Sequence, residues 1–273
     1  MKFMVCGSGD AVGIPGLFCR CPVCVSAREN GGKERRSRTG YLLGDAVKFD
    51  FGPDTAMQAR ELGFDLTKLR RIFITHSHSD HFGAEELWNQ TLGVSAPEQI
   101  VTLYGNTEVL KQLAPYRNFG ITLQTQLLRS GETVSFDGIR VTAIATDHIP
   151  TEECLMYLIE TPGKNVLIAN DSDRFPESAF ALLKNRRVDH IFIDATWGVE
   201  HREHQGHMGL PAIREIVARL RRQNTLTPES HIWAVHISHL AAPLPCTKFP
   251  AALDDNPCME WSYDGLTVDP CIP

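Results

Sequence analysis

The sequence predicts an α/β (α+β) fold of two sheets with helices packed outside them. Three observations carry that prediction. Apolar runs of strand length recur along the chain, segments of helical spacing alternate with them, and a strand-rich half is followed by another of similar make-up. With 273 residues and 42% hydrophobic content, the chain can fill a large core. No internal repeat or low-complexity tract divides it, and residues 1–273 are read as a single domain.

In chain order, "KFMVC" reads as a strand, and "GYLLGDAVKFDFG" as two more joined by a hairpin turn at Gly44-Asp45, the second ending at Asp50. Between them lie a cysteine loop and the charged run "RENGGKERRSR", which reads as a solvated loop or helix end. "RRIFIT" is a buried strand, and "AEELWNQTL" after it has helical spacing. The strands "IVTLYG", "IRVTAIA", "LMYLIE", "NVLIAN", "HIFIDAT" and "HIWAVHIS" follow, interleaved with the helical "TEVLKQLAPY", "ESAFALLKNR" and "LPAIREIVARLRR". The Pro-rich "APLPCTKFP" reads as a surface crossing, and "WSYDGLTVD" as a last hairpin around Asp264-Gly265.

A net charge of -6 offers no broad basic field for a polyphosphate backbone, so a long nucleic acid is not the expected partner. The N-terminal stretch has no apolar core of signal-peptide length, and nowhere is there a membrane-length apolar run. The expectation is a cytoplasmic protein without a membrane partner. Oligomeric state stays open, a homodimer among the options. The eight cysteines are then expected to be reduced thiols. Cys6, Cys154, Cys246, Cys258 and Cys271 are scattered and read as ordinary buried or loop thiols. Cys19, Cys21 and Cys24 in "GLFCRCPVC" instead cluster, and clustered thiols in a reducing compartment point to metal. A structural zinc takes four protein ligands, and no fourth cysteine follows at ligand spacing.

The most informative stretch is "ITHSHSDHFGAEEL", with His76, His78, Asp80 and His81 directly after a strand. Residues two apart in extended chain face the same side, so His76 and His78 can grip one metal. Where the chain turns toward the helix, Asp80 and His81 swing to a second position beside the first.

This motif resembles the HxHxDH signature of the metallo-β-lactamase fold superfamily, whose fold is an αββα four-layer sandwich. That family places a further histidine, an aspartate and a final histidine at later strand ends, and His148, Asp171 and His236 stand there in order. The resemblance implies two catalytic divalent metals, Zn or Mn. His76, His78 and His148 would hold one, Asp80, His81 and His236 the other, with Asp171 bridging and a shared hydroxide as nucleophile. "FDFGPD" matches the family's Asp-x-Gly turn under the site, giving Asp50 and Gly52 an architectural role.

Within the superfamily the chain is similar to the PhnP-type phosphoribosyl cyclic phosphodiesterases. The similarity rests on "GSGDAVGIP", the Cys-x-Cys-x-x-Cys loop, HxHxDH and the late "HISH". It implies a structural zinc held by Cys19, Cys21, Cys24 and His239. It also implies a small phosphodiester substrate, such as a cyclic ribose phosphate. Asp80 and His207 carry the catalytic assignment, His207 in "GHMG" lining up with the histidine that assists the leaving group; histidine titrates near operating pH. His201 and His204 read as loop histidines. The chain departs from the family at Gly209, where an acidic residue is common, and in "IPTEECLMY" after His148. "DATW" and "GHMG" also resemble late motifs of tRNA 3′-processing endonucleases, but no basic-arm insertion is present. PqqB-like accessory proteins share the cysteine-rich loop but lack parts of the dinuclear ligand set, which this chain retains.

Overall fold

The computed structural model describes residues 1–200, 206–242 and 259–269. The proposed surface crossing at "APLPCTKFP", the thiols Cys246, Cys258 and Cys271, and the loop histidines His201 and His204 lie outside the described residues.

Two seven-stranded sheets form the centre. The first contains β1 (Phe3–Gly7), β2 (Gly40–Leu43), β3 (Val47–Phe49), β4 (Arg71–Phe73), β5 (Ala96–Gly105) and β6 (Ile121–Leu127) in that order, with β14 (Thr267–Val268) outside β1. The second runs from β7 (Thr133–Phe136) through β8 (Ile139–Thr146), β9 (Cys154–Glu160), β10 (Val166–Ala169), β11 (Val188–Asp194) and β12 (Leu226–Val235) to β13 (Met259–Trp261). The α-helices are α1 (Pro22–Asn30), α2 (Thr55–Leu62), α3 (Ala84–Asn89), α4 (Thr107–Leu113), α5 (Glu177–Leu183) and α6 (Leu210–Arg222).

Side-chain alternation along single strands explains the layering. In β9 every residue from Cys154 to Ile159 is buried. Leu155, Tyr157 and Ile159 enter the core between the sheets with Phe3, Phe49, Phe73 and Phe192, whereas Met156 and Leu158 face the outer core. That outer core takes Phe180 and Leu183 of α5 and Ile213, Val217 and Leu220 of α6. On the other side, Ile72, Ile74 and Leu103 of the first sheet pack against Leu87 of α3 and Val109 and Leu113 of α4. The result is an αββα four-layer sandwich. Among the described residues, no helix is long and apolar enough to cross a membrane.

Parallel pairing then gathers strand ends on one rim. β3 to β6 run parallel, as do β10 to β13, with Phe49 opposite Phe73, Ala169 opposite Ile193 and Asp194 opposite Val235. Residues just past these ends therefore emerge side by side.

Two local expectations need correction, and two strands form where the sequence reading placed none. The strands flanking Asp264-Gly265 do not pair: β13 joins β12 in one sheet and β14 joins β1 in the other. The Asp264 carboxylate accepts bonds from the Ser8 amide and hydroxyl at 2.9 and 2.7 Å and from those of Ser37 at 2.6 and 2.7 Å, which holds the turn as a crossing between sheets. The charged run after the cysteines is only partly solvated. Glu34 and Arg36 are buried, and Arg36 donates to the Ser8 hydroxyl and the Ser262 carbonyl. Finally, "ITLQTQL" and "TVSF" form β6 and β7, which no apolar run announces because much of each is exposed.

Candidate metal centre

The chain leaves β4 through Ile74 and buried Thr75 and delivers His76 and His78 beyond its end. It then turns, the amides of His81 and Phe82 both donating to the His78 carbonyl, so Asp80 and His81 face a different point. Beneath the turn, the Asp50 carboxylate accepts from the Thr75 amide at 2.8 Å and hydroxyl at 2.9 Å and lies 2.7 Å from His81 Nδ1. Gly52 is required here, since a Cβ would meet the Asp80 carbonyl oxygen at 2.0 Å.

His148 follows β8, Asp171 follows β10 and His236 follows β12. Asp50, Asp171 and His236 all adopt positive φ, at 58°, 54° and 59°. Such conformations cost roughly 1–3 kcal/mol each in non-glycine residues and persist where the surroundings over-determine them.

These residues form two adjoining groups. His76, His78 and His148 bring one ligand atom each within 4.8 Å of the others, as do Asp80, His81, Asp171 and His236. Asp171 lies between them: its Oδ1 is 3.2 Å from His236 Nε2 and 3.8 Å from His148 Nε2, and its Oδ2 is 3.1 Å from His81 Nε2.

The donor set fits cations. The buried Nε2 of His76 has no hydrogen-bond partner, at a cost of about 1–3 kcal/mol if nothing filled it, and those of His81 and His236 face carboxylate oxygens of Asp80 and Asp171 at 3.1 to 3.2 Å without hydrogen-bond geometry. Their opposite nitrogens are held by oxygens. His76 Nδ1 lies 3.0 Å from Thr75 Oγ1, His81 Nδ1 2.7 Å from Asp50 and His236 Nδ1 2.8 Å from Thr196 Oγ1. His148 Nδ1 is likewise 2.6 Å from the Gly206 carbonyl. Such outer contacts fix ring orientation and leave the other nitrogen for a metal. Burial raises the Asp171 carboxyl, but His236 and His81 outweigh it and hold the group well below the usual carboxylate range. Burial and neighbouring His81 push His76 well below the ordinary imidazole value, toward the neutral form that ligates.

His207 borders both groups, its ring 4.8 Å from that of His148 and 5.0 Å from that of His236. Its Nδ1 lies 2.7 Å from Asp194 Oδ2. Burial lowers His207, but Asp194 prevails and raises it. Asp194 enters the sequence reading only as the first residue of "DATW", without a site role, although an acidic residue ending the apolar run "HIFID" is the same signal that singles out Asp171. Gly209 has a packing cause: a Cβ there would lie 2.0 Å from the Glu200 carbonyl oxygen.

Elsewhere, Cys19, Cys21, Cys24 and His239 also converge within 4.8 Å. His239 Nδ1 is 3.5 Å from Cys19 Sγ and 3.6 Å from Cys21 Sγ. The amides of Gly16, Cys21 and Cys24 donate to sulfurs, and Arg28 latches the loop through the carbonyls of Gly16 and Cys19. Cys6 and Cys154 are buried apart from this cluster, their thiols pushed up by burial to about 11 and about 12.

Residues 40–237 match the beta-lactamase superfamily domain. The chain superposes on a diphosphatase of the PhnP family with a TM-score of 0.72 and 25% identity, covering 98% of this chain and 96% of that one. Zn(2+)-bound PqqB from Methylobacterium extorquens shares the fold, with a TM-score of 0.75 and 20% identity over 98% of this chain and all of that one. Ribonuclease Z of Archaeoglobus fulgidus is 32% identical over 110 residues, 39% of this chain and 36% of its own length. Six further ribonuclease Z sequences match at 29–34% identity. The chain spans less than half the length of the curated relatives it matches. These ribonuclease matches overturn the expectation that a long nucleic acid is a poor partner. Net charge sums over a whole surface and does not limit which phosphodiester a cleft accepts. With most of its length matched and the fold in place, the chain belongs to the metallo-β-lactamase fold superfamily of hydrolases.

Proposed function

We propose that the chain is a dinuclear metal-dependent phosphodiesterase acting on RNA, in the manner of a tRNA 3′-processing nuclease. The observation that carries the phosphodiesterase reading is the pairing of two ligand groups through Asp171, with the His207–Asp194 pair at their edge. The ribonuclease Z relatives support RNA as the substrate.

His76, His78 and His148 would hold one divalent cation, and Asp80, His81 and His236 the other, with Asp171 shared. Zinc or manganese in these places would polarise a phosphoryl oxygen and acidify water. Asp80 and Asp171 supply the negative charge that offsets two adjacent cations. Asp194 orients the His207 ring and keeps its proton on hand for the departing alkoxide oxygen. The three thiols with His239 would take one structural zinc, leaving no ligand position open.

A second reading, hydrolysis of a small phosphodiester or diphosphate, is favoured by the superposition on the diphosphatase over nearly the whole chain. One experiment separates them. Metal-loaded protein is assayed on a tRNA precursor with a 3′ trailer, on a cyclic ribose phosphate and on bis-p-nitrophenyl phosphate. Trailer removal, lost in D171A, is the expected result. Cleavage of the small esters alone would transfer the assignment to the second reading, and no cleavage of any of them would overturn the phosphodiesterase reading.

A further inference from the structure

Ser77 stands between two of the histidines of the first group, and side chains from elsewhere hold both its amide and its carbonyl. The amide donates to Glu152 Oε1 at 2.8 Å, the hydroxyl to Glu152 Oε2 at 2.5 Å, and the carbonyl accepts from Gln112 Nε2 at 2.7 Å. Glu152 lies four residues beyond His148, in the segment where the sequence departs from its PhnP-type relatives. Its own placement is fixed from two sides. Its amide donates to the Ile149 carbonyl, closing the turn after His148, and buried Asn106 donates to Oε1 at 2.7 Å. Asn106 is itself immobilised, capping α4 through the amides of Glu108 and Val109 and donating to the Glu153 carbonyl at 2.9 Å. A further backbone bond, from the Leu155 amide to the Thr75 carbonyl, closes the same two loops onto one another.

We propose that Glu152 is a positioning residue: its carboxylate clamps the loop between His76 and His78 to the loop that follows His148, and so sets the geometry of the three-histidine group. The argument is one of connectivity. The three rings lie within 4.9 Å of each other but come from strands of different sheets, so their spacing depends on what joins the two loops. Both oxygens of one carboxylate are used in that joint. His236 comes from the end of β12, and Asp80 and His81 follow Ser77 only through the turn on the His78 carbonyl, so loss of the clamp acts most strongly on the three-histidine position.

This inference rests on the dinuclear reading. The test is a zinc titration of metal-stripped protein followed by native mass spectrometry, which counts ions without reference to activity. Wild type is expected to take three zinc ions. E152A should fill two at the wild-type concentrations and require about 10- to 100-fold more free zinc for the third, the usual cost of losing a contact behind a ligand. E152Q keeps an oxygen for the Ser77 amide and Asn106 and should recover most of that affinity. S77A, which removes only the hydroxyl bond, should show a smaller shift and stands in should E152A fail to fold. C21S should lose a different ion, so that C21S/E152A retains one at wild-type zinc. Three ions with unchanged midpoints in E152A or S77A would overturn the clamp while leaving the dinuclear reading intact. A single ion in wild type, or two of which C21S loses one, would leave fewer than two in the cleft and overturn the dinuclear reading and the clamp with it; two ions, both kept in C21S, would remove only the cysteine zinc and leave the clamp to be read from E152A as before.

Discussion

The cleft at the strand ends and the cysteine cluster are built by opposite means. In the cleft, ligands come from the ends of β4, β8, β10 and β12, their outer nitrogens are held by Thr75, Asp50, Gly206 and Thr196, and two of them sit at strained positive φ. The cysteine cluster draws three ligands from one short loop and the fourth, His239, from 220 residues away. It is only part-buried, and its outer support is a few N–H to sulfur contacts and Arg28. A centre that must preserve geometry through turnover needs the first construction. A clip that only joins two segments can let the ion supply the order.

Substitutions can sharpen this contrast. The largest effect is expected for Asp171→Ala, which removes the group shared by both cation positions; phosphodiester turnover should fall by about a thousandfold or more, several kcal/mol of charge stabilisation. Next is His207→Ala: if His207 serves as the proposed proton donor, turnover should fall by roughly 10²–10⁴ with metal content unchanged. Loss of metal in that variant would place His207 among the ligands. Thr196→Ala leaves His236 intact but removes the oxygen behind it, so metal affinity at the second position should drop about 10- to 100-fold in an ion titration. The smallest effect on catalysis is expected for Cys21→Ser. One zinc should be lost and the melting temperature lowered, by roughly 2–4 °C per kcal/mol for a chain of this size, while turnover at low temperature persists. If Cys21→Ser abolished turnover while leaving the fold intact, the two regions would have to be treated as one site.

Much of the centre was legible because HxHxDH is dense and the later ligands follow apolar strands in the order that motif leads one to expect; a single polar residue after a strand is common and would say little. Asp194 obeys the same rule and opens the "DATW" stretch, but no local pattern pairs it with His207, 13 residues later. Glu152 was not legible at all. It works by bonding Ser77, 75 residues earlier, and no local pattern announces that distance. The same holds for the C-terminal crossing. A turn at Asp264-Gly265 between two β-prone segments favours a hairpin locally, but Asp264 is committed to Ser8 and Ser37 across the chain. Similarly, α1 begins within the cysteine loop and ends in the charged run, and its short buried face, resting on Val23, Cys24 and Ala27, gives no helical period to read.

The most direct test of the central claim is elemental analysis of the purified protein, run beside its Asp171→Ala and Cys21→Ser variants, with bis-p-nitrophenyl phosphate turnover on the same samples. The account predicts about three divalent metals per chain in wild type. One of them, zinc, should be missing from Cys21→Ser with turnover kept, and turnover should be absent from Asp171→Ala. A wild-type protein carrying a single metal, or an Asp171→Ala variant with full activity, would contradict it.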